Sequence, residues 1–151
     1  MLFYTHLLFG VAFFLVVREF TPEISTPIFL VFILFGSILP DIDEPKSRIS
    51  RWSGIFGKII GLLSKHRGFF HSLLFIALLY LVLNYFFGHY YGLAVVLGFL
   101  AHIIGDGLTP MGINLFYPFV EGRIQGPIRT GSWQEKVLMG LLLTFILYMV
   151  F

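Results

Sequence analysis

The stretch "PIFLVFILFGSILPDIDEP", residues 27–45, decides how the rest of the chain is read. The run Ile28–Leu39 is apolar enough to lie inside a lipid bilayer. It ends in three acids, Asp41, Asp43 and Glu44, held between Pro40 and Pro45. Only twelve residues separate Pro27 from Pro40, whereas a membrane crossing needs about 20 to span a hydrocarbon core of about 30 Å. Either the run is a buried helix of a soluble protein, or it is a span whose polar end continues at membrane depth. Composition favours the second. Of 151 residues, 58% are hydrophobic and 12% charged, with mean hydropathy +0.91. A soluble domain carries about a quarter charged residues.

The same composition excludes other classes. There are no cysteines, so disulfides and thiolate ligands are absent and any metal site must use His, Asp or Glu. The net charge of +2 is too small for a nucleic-acid binder. The opening "MLFYTHLLFG" has no basic region before its apolar run and no small-residue cleavage pattern after it. It reads as a retained span rather than a cleaved signal peptide.

Five apolar runs follow in order: Leu2–Val17, Ile28–Leu39, Phe70–Phe87, Gly92–Ile104 and Val137–Phe151. Five crossings put the N-terminus and the 40–69 and 105–136 connections on one side. That side holds Lys46, Arg48, Arg51, Lys58, Lys65, Arg67, Arg123, Arg129 and Lys136, against Arg18 on the other. The positive-inside rule makes the basic side cytoplasmic. Residues 49–65, "ISRWSGIFGKIIGLLSK", repeat apolar side chains at helical spacing, with Arg51, Lys58 and Lys65 bounding the apolar face. They predict an amphipathic helix lying in the cytoplasmic interface. Residues 112–136 contain Pro118, Pro127 and repeated Gly, and read as an irregular or hairpin-like loop anchored by Phe116, Tyr117, Phe119 and Trp133. The expectation is one all-α integral-membrane domain, residues 1–151, with about five short spans and an interfacial helix.

On that topology the His and acidic residues cluster. His6 opens span one, Asp41 and Asp43 close span two, His66 and His71 precede and open span three, and His102 and Asp106 close span four. His89 alone lies on the opposite side. Ionisable groups beside spans are costly and mark functional sites. His102 and Asp106, four apart, project from one helix face. Asp41 and Asp43 point the same way if their turn is extended. His6 taken alone is more often an interfacial packing residue, and a D-x-D at a helix exit is more often solvated turn chemistry. The conjunction of seven such groups on one side outweighs these bland readings. Mixed imidazole and carboxylate donors suit zinc first, with manganese or iron(II) as alternatives, and their number allows one or two ions. Two ions can clamp both oxygens of a phosphoryl displacement and activate water.

At these residues the sequence also resembles a known family. "LPDIDEP", "HRGFFHSL", "LAHIIGDGLTPMGINLFYPF" and "PIRTGSWQE", in order and together, are similar to the YdjM-like family of small membrane-bound proteins described as metal-dependent hydrolases. The resemblance runs from His6 to Glu135, nearly the whole chain. It implies a multi-pass inner-membrane protein with a metal site drawn from His6, Asp41, Asp43, His66, His71, His102 and Asp106. It adds Thr109, Pro110, Ser132 and Glu135, for which composition gives no reason.

The function expected is metal-dependent hydrolysis, of a phosphoester on a lipid or other amphiphile, by metal-activated water at the cytoplasmic interface. Arg67, with Arg123 or Arg129, would hold phosphate oxygens, since guanidinium matches phosphate in a bidentate way. Asp43 or Asp106, if not a ligand, would serve as general base. The competing reading is a divalent-cation or proton transporter using the same cluster, although transporter sites usually lie near the midplane. A third, a non-catalytic scaffold, leaves the cluster unexplained. Membrane lipids are the expected partners, and ester or amide hydrolysis stays open.

Overall fold

A computed structural model describes residues 1–20, 27–63, 67–120 and 122–151. Proline and serine set the helix boundaries. Pro27 opens α2 (Pro27–Ile38), where its fixed φ suits the first helical position. Pro40 then supplies no N–H, and the chain tightens into a 3-10 turn, Leu39–Asp43. Ser72 and Ser132 accept backbone N–H groups at the starts of α5 (Leu73–Phe87) and α7 (Trp133–Val150). Gly88, at φ +85°, makes the abrupt turn from α5 into α6 (His89–Gly107).

Among the described residues all regular structure is helical, as expected: α1 (Phe3–Phe20), α2, α3 (Arg48–Trp52), α4 (Ile55–Leu63), α5, α6 and α7, with short 3-10 turns at 39–43 and 69–71. Helices α1, α6 and α7 are long and apolar enough to cross a membrane, α5 is a shorter apolar helix, and α2 has only 12 residues.

Helix α6 is the axis of the bundle, packing on α1, α2 and α5. The α2–α6 crossing is backbone on backbone. A Cβ on Gly36 would strike the main chain of Val95, and one on Gly98 the main chain of Ile33. Small residues at such crossings let helices approach closely where no hydrophobic force drives them together. Ile33, Ala94, Val95 and Phe99 fill the adjacent core.

Polarity is inverted relative to a soluble protein. His6, His71, His102, Asp106 and Glu135 have no exposed surface, while Leu141, Leu147 and Tyr148 of α7 are 63%, 57% and 80% exposed. Apolar surface of this extent is what a bilayer covers.

Two local expectations change. The described residues 49–63 form no single helix, and Lys65 lies outside the described residues. Gly54, at φ +61°, separates α3 from α4. In α4, Gly57 and Gly61 press on Ser50 and Pro45, so Ile55, Phe56, Ile59 and Leu62 face outward. The loop 112–136 is hairpin-like at its base, where Ile113 and Ile124 exchange two backbone hydrogen bonds of 3.0 Å. Phe116, Phe119 and Trp133 are exposed, and Trp133 begins α7.

Candidate metal centre

Four chain segments bring the site together. His6 comes from the first turn of α1, Asp41 and Asp43 from the 3-10 turn after α2, Arg67 and His71 from the turn before α5, and His102 and Asp106 from the end of α6. One ligand atom from each of Asp41, His71, His102 and Asp106 lies within 4.8 Å of the others. His102 Nε2 is 3.3 Å from His71 Nε2, 3.6 Å from Asp106 Oδ2 and 3.8 Å from Asp41 Oδ1. His71 Nε2 is also 3.6 Å from Asp106 Oδ2. A tetrahedral ion with ligands at about 2.0–2.1 Å needs donor atoms about 3.3 Å apart; His71, His102 and Asp106 are near that spacing, and with Asp41 drawn in the group could hold a small divalent ion.

The outer nitrogens are held as metal-site histidines require. His102 Nδ1 lies 2.8 Å from the Ser37 carbonyl, which can only accept, so Nδ1 carries a proton and Nε2 faces inward. His71 Nδ1 faces Asp43 Oδ2 at 3.4 Å. Burial alone would lower the His71 pKa. Hydrogen bonds to Asp106 and Asp43, and their charges, outweigh it and raise the value to about 9.

Asp43 is thus placed behind a candidate ligand rather than beside the others. Its Oδ2 also accepts the Arg67 backbone N–H at 3.1 Å. The extended turn expected at residues 41–43 is a 3-10 turn. With 3.0 residues per turn, positions two apart diverge by about 120°, so Asp41 turns towards His102 and Asp43 towards His71.

His6 stacks on His102, ring centroids 3.8 Å apart and planes 12° from parallel. Its Nε2 is 3.4 Å from Asp106 Oδ1, and neither ring nitrogen has a hydrogen-bond partner among the described residues. It therefore borders the four-residue group as an orphaned buried imidazole. His66 lies outside the described residues, and His89 pairs with Tyr80 at the other end of the bundle, 2.8 Å from its hydroxyl.

The three arginines part company. Arg67 is buried. Its Nη2 forms an ion pair with Asp106 Oδ2 at 2.9 Å, and its Nη1 donates to Thr109 Oγ1 and the Gly112 carbonyl at 2.7 and 3.1 Å. It adopts φ +59°, which directs its backbone N–H to Asp43 and its side chain to Asp106. Substrate contact through its terminal nitrogens would require exchanging these partners. Arg123 and Arg129 are exposed and do not join the group. Arg123 Nη1 turns instead to the Met111 carbonyl at 3.3 Å, beside the hairpin base.

The centre has one wet side. Asp41 is 19% exposed, while His71, His102 and Asp106 are sealed. Asp41 and Arg67 both line a cleft of about 510 Å³, whose other cations are Lys46, Arg48 and Arg51 of the 44–52 segment.

Several supporting residues carried no compositional signal. Thr109 Oγ1 accepts from Arg67 and donates to the Asp106 carbonyl at 2.8 Å. Ser37 acts through its backbone carbonyl, which no side-chain pattern could reveal. Glu135 is fully buried and accepts from Leu2 N, Thr5 Oγ1 and Gly131 N at 2.7, 2.8 and 2.6 Å, tying α7 to the start of α1. Thr109 and Glu135 entered the reading only through the family resemblance.

That pattern agrees with sequence comparison, in which the YdjM inner membrane protein family model matches residues 1–151. The chain belongs to the YdjM family. A Bacillus subtilis relative, the uncharacterized protein YvsG, is 33% identical over 121 residues, covering 77% of this chain and 76% of its own. The inner membrane protein YdjM of Escherichia coli is 35% identical over 121 residues, and so is that of Shigella flexneri; each match covers 74% of this chain and 61% of the relative. No solved structure matches. Neither printed name states a reaction, so the YdjM family fixes a membrane protein, and its chemistry must be argued from the site.

Proposed function

We propose that this YdjM-family chain is a membrane-embedded hydrolase that works with a divalent ion, zinc by its donor set, held by Asp41, His71, His102 and Asp106. One observation carries the reading. Two buried imidazoles, their outer nitrogens engaged by Ser37 and Asp43, aim Nε2 atoms at one another across 3.3 Å beside two carboxylates. Two nitrogens at that distance need a proton or a cation between them, and the proton on the His71 ring is what a bound ion would displace. His6 lies 3.4 Å from the second oxygen of Asp106, but the Met1 ammonium already engages that oxygen at 2.6 Å, so the group offers donors for one ion.

A divalent ion there supplies Lewis acidity and lowers the pKa of water. The protein residues do the rest. Arg67 balances Asp106, Asp43 fixes the His71 ring, and the partly exposed Asp41 can pass a proton to the cleft. The substrate class in this reading is a phosphoester on an amphiphile, because basic side chains line the open side and α4, packed against Pro45, turns apolar side chains outward. The basic side is cytoplasmic in this topology. Transport is less well supported: from Gly92 to Ala101, α6 is apolar, so it offers no polar path from the centre to the far end.

Elemental analysis of the purified protein, with turnover of phosphoester amphiphiles in the same preparation, tests the reading. Bound ion and turnover should both vanish in His71→Ala and His102→Ala. Metal-replete protein that hydrolyses no phosphoester but takes up metal in proteoliposomes would replace hydrolysis with transport.

A further inference from the structure

The cleft beside Asp41 has a built cationic mouth that the sequence reading did not select. Ser47 accepts the Ser50 N–H at 3.0 Å and so caps α3. It also donates its hydroxyl to the Asp41 carbonyl at 2.7 Å. Helix α3 is therefore fastened directly to the turn that carries a candidate ligand.

Arg48 and Arg51, three apart, share one face of that helix and line the cleft with Lys46. Arg48 is held, not free. Its guanidinium lies 4.8 Å from the centre of the Phe3 ring and 4.6 Å from that of Tyr4, and donates to the Tyr4 hydroxyl at 2.9 Å. Arg51 Nε donates to the Ser47 carbonyl at 3.3 Å. Among the described residues none of these three cations forms an ion pair. Glu44 accepts the Lys46 backbone N–H at 3.2 Å rather than its ammonium. With Arg67 on the floor, the cleft presents four cationic side chains against two carboxylates, Asp41 and Glu44. Leu2, Phe3, Ile49 and Met111 supply apolar walls. A planar, unneutralised guanidinium pre-oriented by aromatic rings is suited to phosphate.

We propose that Arg48 and Arg51, with Lys46, form a phosphate-binding subsite that seats the anionic headgroup of the substrate against the Asp41 side of the ligand group. The assignment rests on the hydrolase reading above and names the residues that recognise its substrate. The phosphate reaches them either as a lipid headgroup or as free phosphate.

Short-chain phosphatidic acid, titrated calorimetrically into the purified protein in phosphatidylcholine nanodiscs, tests this. Short-chain phosphatidylcholine corrects for partitioning, and metal content is measured in each variant. Arg48→Gln and Arg51→Gln should each weaken phosphatidic acid binding by about tenfold or more. Lys58→Gln, which removes a basic residue outside the cleft, should change it less than about twofold. Arg51 is exposed, so its variant keeps the test valid if Arg48→Gln disturbs packing on Tyr4. Competition by inorganic phosphate supports recognition of phosphate itself; its failure to compete supports a lipid-borne headgroup. Equal losses in Lys58→Gln, or unchanged binding in both arginine variants, would overturn the subsite. Headgroup binding that persists without any turnover retains the subsite and overturns the hydrolase reading instead.

Discussion

Asp43 sits on the outer nitrogen of His71, 3.4 Å from Nδ1, while the inner nitrogen of the same ring faces His102 Nε2 at 3.3 Å. One carboxylate thus orients an imidazole whose other edge belongs to the candidate metal group. This separates Asp43 from Asp41, its neighbour two residues back.

That separation predicts unequal mutants. Asp43→Asn keeps the shape and loses the charge behind His71. It should reduce zinc affinity by about 10–100-fold, the usual effect of losing an outer partner. His102→Ala and His71→Ala remove donors and should abolish high-affinity binding. Competition with a chromophoric zinc chelator measures all three. Equal loss in all three would make Asp43 a ligand after all.

The raised His71 pKa gives metal binding a pH slope. In metal-free protein the charged ring between Asp43 and Asp106 stabilises the fold. That contribution is complete below the ordinary histidine value of 6.5 and is lost as pH rises through about 9. A metal requires the neutral ring, so below about 9 it must displace the proton. Apparent affinity should rise about tenfold per pH unit from 7 towards 9, with about one proton released per ion at pH 7. Titration calorimetry in buffers of different ionisation enthalpy reads the proton count. A count of zero would refute the charged His71.

The α2–α6 crossing predicts where size is forbidden. Gly98→Ala forces a Cβ into the Ile33 carbonyl, which cannot retreat as a side chain could. A loss of about 1–3 kcal/mol is expected. Gly140→Ala on α7, where a Cβ meets nothing within 4 Å, should leave stability unchanged. Thermal unfolding in detergent compares them, and similar midpoints would contradict the crossing.

Glu135 predicts a mechanical link. Glu135→Ala leaves three donors without their acceptor, two of them at the start of α1. The cost should be about 1–3 kcal/mol for a buried donor left unmade. Hydrogen exchange at residues 2–6 should accelerate, and His6 would lose its fixed approach to Asp106. Unchanged exchange there would mean that α7 does not hold α1.

Much of the centre was legible because span ends were. The apolar runs located α1, α2, α5, α6 and α7 within a few residues, and their ends and adjoining turns carried His6, Asp41, His71, His102 and Asp106. The helical spacing of His102 and Asp106 put both on one face. The loop arginines were a weaker inference, since positive charge gathered on one side has no preferred partner in a sequence. The structure gives the cleft to Lys46, Arg48 and Arg51, because Ser47 binds α3 to the Asp41 turn.

The sequence by itself determined an all-helical membrane protein and a set of ligand-type residues gathered at helix ends. It could do so because hydropathy and helical period are local, additive properties. Tertiary structure alone decided the division of labour within that set. Which oxygen faces which nitrogen depends on a 3-10 turn, on a left-handed backbone at Arg67 and on a carbonyl borrowed from Ser37. Those are angles and distances between segments far apart in the chain. A period of residues does not encode them, because the direction of a side chain is set by what packs against it.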